Sequence, residues 1–77
     1  MKKVLAHIRK STEMGAVAVF HTTTGARFEI GKGLHSGYHA EWYGRGFVLI
    51  ASHRELTLRE AAALVLRWEA EDEIRNN

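Results

Sequence analysis

The sequence predicts an α+β domain: an antiparallel β-meander of four to five strands packed against one C-terminal α-helix. Two observations predict it. Up to about residue 52, apolar and polar residues alternate, which is typical of half-buried strands. Beyond that residue, the apolar residues recur at helical spacing. A chain of 77 residues without cysteine or proline suits a single domain over residues 1–77, with one modest core and no disulfide.

Five segments with alternating patterns predict the strands. They cover residues 3–9, 16–22, 26–31, 38–43 and 46–52. The first segment, "KKVLAHIRK", places Val4, Ala6 and Ile8 on one face. Tight turns are predicted where glycine permits a positive φ, at Gly25 after the second strand and at Gly44 and Gly46 after the fourth.

The C-terminal segment predicts a helix over residues 58–75. Thr57 and Glu60 are three residues apart, the spacing of a capping box in which each side chain accepts a hydrogen bond from a backbone N–H of the other residue. The apolar stripe that follows has a period of 3.6 residues and predicts the buried face. Its members are Leu58, Ala61, Ala62, Val65 and Trp68.

The last predicted strand is apolar on both faces. Phe47, Leu49 and Ala51 alternate with Val48 and Ile50, and such a strand is normally covered on both sides. One helix covers only one side. We therefore expect the second side to contact the chain's own N-terminal segment or loops, a second copy of the chain, or another protein.

The charge is distributed unevenly along the chain. Residues 1–59 carry a net charge of +5 and residues 60–77 carry −3, within an overall +2. The acidic run "EAEDE" lies at the predicted helix C-terminus, where the helix macrodipole disfavours negative charge. It indicates either a solvated helix end or an acidic surface that binds a basic groove of a protein.

These features favour a non-catalytic binding protein that occupies the surface of a protein or ribonucleoprotein partner. A homodimer of this protein is one form of the hypothesis. Small size, absence of cysteine, uneven charge and the lack of a catalytic motif also give an outline that resembles the small inhibitors of phages and mobile elements, anti-CRISPR proteins among them. The resemblance implies a partner that handles nucleic acid. The predicted contact residues are Val48, Ile50, Leu5, Glu69, Glu71, Asp72 and Glu73.

The first alternative is a small basic nucleic-acid-binding module. Tyr38, Ala40 and Trp42 share one face of the fourth strand and are expected in the core, which leaves Tyr43 as the exposed ring for stacking. The predicted contacts of this module are Lys32, Tyr43, Arg45, Arg27, Arg9 and Lys10, together with Lys2 and Lys3.

The second alternative is a ribonuclease-like enzyme. His39 and Glu41 point the same way from a strand and have the chemistry of an acid–base pair, with Arg45, Arg54 or His53 as neighbours.

His35 and His39 have the H-x3-H spacing of zinc ligands, but the glycines beside them argue against the helix that would align them, so no metal site or cofactor is predicted. No apolar run approaches the length of a membrane span, and the protein is expected in the cytoplasm.

Overall fold

The computed structural model describes residues 1–33 and 37–75 and shows six regular elements and one short turn of 3₁₀ helix. They are α1 (Lys2–Glu13), β1 (Ala18–His21), β2 (Arg27–Lys32), β3 (Tyr38–Tyr43), the 3₁₀ turn (Arg45–Phe47), β4 (Leu49–Leu56) and α2 (Leu58–Arg75). The strands form one antiparallel sheet in the order β1-β2-β3-β4, and both helices pack on the same face of it. The predicted α+β class and antiparallel meander are confirmed.

The N-terminal segment is a helix, so the strand predicted at residues 3–9 is wrong. Ile8 is completely buried, and Val4 and Leu5 pack against the same core. These residues are three and four positions apart, which is the spacing of one helix face. The alternation that predicted a strand included Ala6, which the structure leaves exposed.

An aromatic cluster between the sheet and α2 forms the centre of the core. Phe28 of β2 lies opposite Trp42 of β3, and the ring centroids of Phe28, Trp42 and Trp68 are 5.8–5.9 Å from one another. These distances are typical of attractive aromatic pairs. The predicted core face of the fourth strand is confirmed, since Ala40 and Trp42 are buried and Tyr38 packs against them.

Helix α2 follows its prediction closely. The Thr57 backbone N–H donates to Glu60 Oε1 at 2.8 Å, and the Glu60 N–H donates to Thr57 Oγ1 at 3.1 Å, so the capping box is present. Four members of the predicted stripe are fully buried and Leu58 is half-buried against them. The four are Ala61, Ala62, Val65 and Trp68.

Strand β4 is irregular at two points, and this changes its predicted faces. Trp42 pairs with Ala51 while Tyr43 pairs with Leu49, so Ile50 is an extra residue in a β-bulge. Because of the bulge, Leu49 and Ala51 lie on opposite faces, not on one. The strand predicted at 46–52 begins at Leu49 and continues to Leu56.

The face of the sheet opposite the helices carries polar side chains instead of a second cover. Arg27 and Glu29 of β2 form an ion pair with 2.6 Å between Nη2 and Oε2. On β3, the His39 Nδ1 and Glu41 Oε1 atoms are 3.5 Å apart. The N-terminal segment covers part of the helical face as α1, and Leu49 at the start of the last strand stays exposed on the opposite face, so the expectation of a partner there stays a prediction.

The two helices run antiparallel. Ala18 lies opposite Ile30 and Leu56 lies opposite Tyr38, so α1 ends and α2 begins at the same end of the sheet. The other end carries the β1–β2 turn (residues 22–26) and the β3–β4 connection (residues 44–48), and we call it the hairpin end. The last turns of α2 reach this end, where Asp72 accepts a hydrogen bond from Thr24.

Candidate functional site

The hairpin end exposes three consecutive apolar residues. Phe47 is 65% exposed, Val48 64% and Leu49 52%. We call these three residues the apolar tip. Isolated apolar residues are common on protein surfaces, but adjacent ones exposed to this degree are typical of a binding surface.

The backbone holds the apolar tip in an unfavourable conformation. Gly46 and Phe47 have φ angles of 72° and 62°. Glycine adopts this region freely, whereas an L-residue such as phenylalanine loses about 1–2 kcal/mol there. Two backbone hydrogen bonds close the loop, from the Gly44 N–H to the Val48 carbonyl at 2.8 Å and from the Phe47 N–H to the Gly44 carbonyl at 3.2 Å. Strain of this kind is concentrated at functional positions.

A fixed arginine supports the Phe47 ring. The Arg27 guanidinium carbon lies 4.1 Å from the Phe47 ring centroid and 5.6 Å from that of Tyr43. Glu29 fixes this guanidinium from the other side through the 2.6 Å ion pair. Because the cation stacks on the ring, Phe47 has a rigid platform although most of its surface is exposed.

A cleft of about 150 Å³ lies beside the apolar tip. It is lined by His21, Gly25, Arg27, Tyr43, Gly44, Gly46 and Phe47. A Cβ atom at Gly44 would lie 3.0 Å from Ile50 Cδ1, so a larger residue there would displace the end of the Ile50 side chain, and the Gly44 φ of −83° is open to any residue. The predicted positive φ is therefore confirmed for Gly46 and wrong for Gly44.

A second cleft, of about 180 Å³, lies between the β1–β2 turn and the end of α2. It is lined by His21, Thr22, Thr23, Glu69, Asp72 and Glu73. His21 lines both clefts, so the apolar tip and the acidic end of α2 belong to one continuous region of the hairpin end.

The predicted acidic cluster divides into exposed and engaged residues. Glu69 and Glu73 are exposed. Glu71 binds Arg67 one turn earlier, with 3.2 Å between Oε1 and Nε. Asp72 is only 3% exposed and accepts a hydrogen bond from the Thr24 hydroxyl at 2.5 Å. The prediction of Asp72 as a contact residue is wrong, because its side chain continues the buried stripe of α2 and forms its hydrogen bond inside the fold.

The other predicted partner contacts also divide into exposed and half-buried residues. Val48 lies in the apolar tip, and Glu69 and Glu73 line the second cleft at the same end of the molecule. Ile50 and Leu5 are half-buried and pack against the core, so neither belongs to the exposed surface that was expected. The bulge turns Ile50 inward, and Leu5 lies on the buried side of α1.

Three of the eight residues predicted for nucleic-acid binding meet at the hairpin end. Arg27 and Tyr43 line the first cleft, and the Arg45 side chain lies against Gly25 of the facing turn. Lys32 is at the opposite end of the sheet, with its Nζ 6.0 Å from the Tyr38 ring. Lys2, Lys3, Arg9 and Lys10 are exposed on α1.

The residues considered for catalysis or metal binding do not form one cluster. His39 and Glu41 lie on the polar face of the sheet, whereas the His53 ring faces Trp68 of α2 at 5.9 Å. His35 lies outside the described residues. Within residues 1–33 and 37–75, no group of three or more His, Cys, Asp or Glu side chains has an arrangement that suits a metal ion.

Two residues of the hairpin end were not predicted from the sequence. The sequence prediction places Phe47 inside the last strand, on a face with Leu49 and Ala51, and does not select His21 as a site residue. The available signal for Phe47 was its position directly after Gly46, since a residue next to a tight turn is commonly part of the turn and not of the strand. His21 joins the two clefts only through the tertiary fold.

Comparisons with known proteins return no match: no family model, no curated protein and no solved structure resembles the chain significantly. Among the residues that the structure describes, no helix combines the length and apolarity needed to cross a membrane.

Proposed function

We propose that this protein is a non-catalytic binding protein that inserts its apolar tip into an apolar pocket of a protein partner. The observation that carries the proposal is the exposure of Phe47, Val48 and Leu49, each more than half accessible, with Phe47 held in a strained backbone conformation. Burying such side chains is the main source of binding free energy at protein interfaces, and a rigid aromatic anchor binds with little loss of conformational entropy.

The flanking charges favour a protein with a basic rim around that pocket. Glu69 and Glu73 are exposed in the region that continues from the apolar tip. Complementary charge at the rim accelerates association and excludes wrong partners more than it raises affinity. Basic surfaces of this kind are common on proteins that handle nucleic acid. In this version of the proposal, the protein inhibits a nucleic-acid-handling complex by covering its phosphate-binding surface, in the manner of the small inhibitors that the sequence resembles in outline. The protein then acts in the cytoplasm.

The experiment compares two exposed apolar residues at opposite ends of the molecule. Val48→Asp places a charge in the apolar tip, and Met14→Asp places the same charge on a side chain that is 76% exposed at the end of α1. Tagged proteins are used to capture partners from an extract of the source cells, with folding checked by circular dichroism. Met14→Asp should capture the partner as the wild type does. Val48→Asp should reduce the affinity for the partner at least about tenfold. Equal capture by both variants would refute the proposal.

A second candidate function, single-stranded nucleic-acid binding, is favoured by the convergence of Arg27, Tyr43 and Arg45 beside Phe47. Aromatic rings next to cations stack bases and bind phosphate. The test is a gel shift with generic single-stranded RNA and DNA at two salt concentrations. Steeply salt-dependent binding that Arg45→Ala weakens would support this function, and the absence of binding at low salt would exclude it.

A further inference from the structure

The outer face of α2 carries a second apolar stripe, separate from the apolar tip. Its residues are Ala63, Leu66, Ala70 and Ile74. Their spacing of three and four residues places them within an arc of about 80°, on the side opposite the buried stripe. Leu66 is 40% exposed and Ile74 is 75% exposed, so the sheet of the same chain does not cover this face.

The charges on this outer face are opposite at its two ends. Arg59 lies in the first turn of α2, and Glu73 lies near the last. Both are exposed, and neither forms an ion pair with another of the described residues. A helix face with a cation at one end and an anion at the other is complementary to a copy of itself that runs in the opposite direction.

We propose that this face binds a second copy of the chain, as an antiparallel pair of α2 helices with a two-fold axis at Leu66. The axis places Leu66 against the partner's Leu66, and Ala63 against the partner's Ala70, where small side chains allow the helices to approach closely. Arg59 then lies beside the partner's Glu73, and the symmetry repeats this pair on the other side of the axis.

This arrangement also accounts for the acidic end of α2. Within one chain, Glu69 and Glu73 lie at a helix C-terminus, where the macrodipole disfavours them. In the antiparallel pair, the Glu73 carboxylate lies beside the N-terminal turn of the partner helix, where the macrodipole favours negative charge. A single helix pair is small compared with stable dimer interfaces, so the dimer is expected to dissociate on dilution.

Sedimentation over a concentration series tests the dimer. The wild type should change from monomer to dimer with concentration, and Leu66→Asp should remain monomeric because two carboxylates would meet at the axis. Leu49→Asp is the matched control, since Leu49 is exposed to a similar degree at the hairpin end, and it should dimerise normally. A wild type that stays monomeric at every concentration, or a Leu66→Asp variant that still dimerises, would overturn the proposal.

A charge exchange tests the direction of the helices. Arg59→Glu and Glu73→Arg should each weaken dimerisation about tenfold, because the two-fold axis makes each change count twice. The double variant should restore it. Recovery is expected only for the antiparallel pair, so a double variant no better than the single ones would refute this geometry even if a dimer exists.

Cross-linking provides an independent measurement that does not depend on affinity. The chain contains no cysteine, so Leu66→Cys introduces one thiol per copy. Placed at the axis, the two thiols should form a disulfide on mild oxidation, whereas Met14→Cys, far from the axis, should not. This dimer does not rest on the proposed insertion of the apolar tip, because Leu66 and the apolar tip lie on different surfaces; Glu73 is the residue that both proposals use.

Discussion

A threonine in the first hairpin turn connects that turn to the last helix. The Ala26 N–H donates to the Thr22 hydroxyl at 3.0 Å, the two hydroxyls of Thr22 and Thr24 are 2.8 Å apart, and Thr24 donates to Asp72. The network fixes the β1–β2 turn against α2 and thereby sets the position of the cleft between them. The hydrogen bond from Thr24 helps to satisfy the Asp72 carboxylate on the buried stripe of the helix.

We predict that Thr24→Val destabilises the fold by about 1–3 kcal/mol, because it removes a hydroxyl that donates to a buried carboxyl group. Thr23→Val is the control, since Thr23 is exposed in the same turn, and it should change stability by less than about 0.5 kcal/mol. Urea unfolding followed by tryptophan fluorescence measures both. Equal stability of the two variants would show that the Thr24–Asp72 bond contributes nothing.

A second prediction at the residue scale concerns Glu55, which has a φ of 58°. Asparagine tolerates this region better than glutamate, so Glu55→Asn should stabilise the protein by roughly 0.5–1 kcal/mol. The neighbouring exposed residue Arg54 has no positive φ, and Arg54→Asn should leave thermal stability unchanged. A Glu55→Asn variant that melts below the wild type would contradict the prediction.

At the scale of the elements, α2 could be predicted from the sequence and α1 could not. Residues 58–75 carry both a capping box and several turns of periodic apolar residues, so two independent signals agree. The N-terminal segment is short, and its apolar residues fit both a strand and a helix. It also lacks acidic residues in its first turn and a side-chain cap, so the usual start signals of a helix are missing.

The missing start signal leads to a prediction. Lys2 and Lys3 lie in the first turn of α1, where positive charge opposes the macrodipole. Lys2→Glu and Lys3→Glu should each stabilise the protein by about 0.3–1 kcal/mol at low ionic strength. Lys10→Glu, in the last turn, should have the opposite sign. Added salt should reduce all three effects, and a gain that persists at high salt would point to a different cause.

The bulges of β4 explain why the apolar tip could be predicted only in part. Val48 was expected on an exposed apolar face and is exposed, whereas the alternation that linked it to Ile50 is interrupted by the extra residue. Sequence periodicity cannot detect such an insertion, because a bulge shifts all later residues to the other face without changing the composition.

At the scale of the whole molecule, both helices cover one face of the sheet and leave the other to ion pairs. This arrangement separates the two proposed surfaces, with the apolar tip at the hairpin end and the dimer stripe on the outside of α2. The antiparallel pair would place the two hairpin ends at opposite ends of the dimer, because α2 runs towards its own hairpin end.

It follows that Leu66→Asp should bind a purified partner with the same affinity per site as the wild type in solution, while losing retention on a surface densely coated with that partner. The physical reason is avidity, since two linked sites rebind before both dissociate. Isothermal titration and surface binding measure the two quantities. Loss of affinity in solution would show that the two surfaces are not independent.

The irregular course of β4 has another consequence, for the behaviour of the protein in storage. This strand forms one edge of the sheet, and unpaired edges of regular strands are where fibrils grow. Here the ladder geometry is broken at two points within eight residues. A neighbouring molecule finds no continuous template along β4, so fibrils should not grow from this edge of the sheet in concentrated solutions.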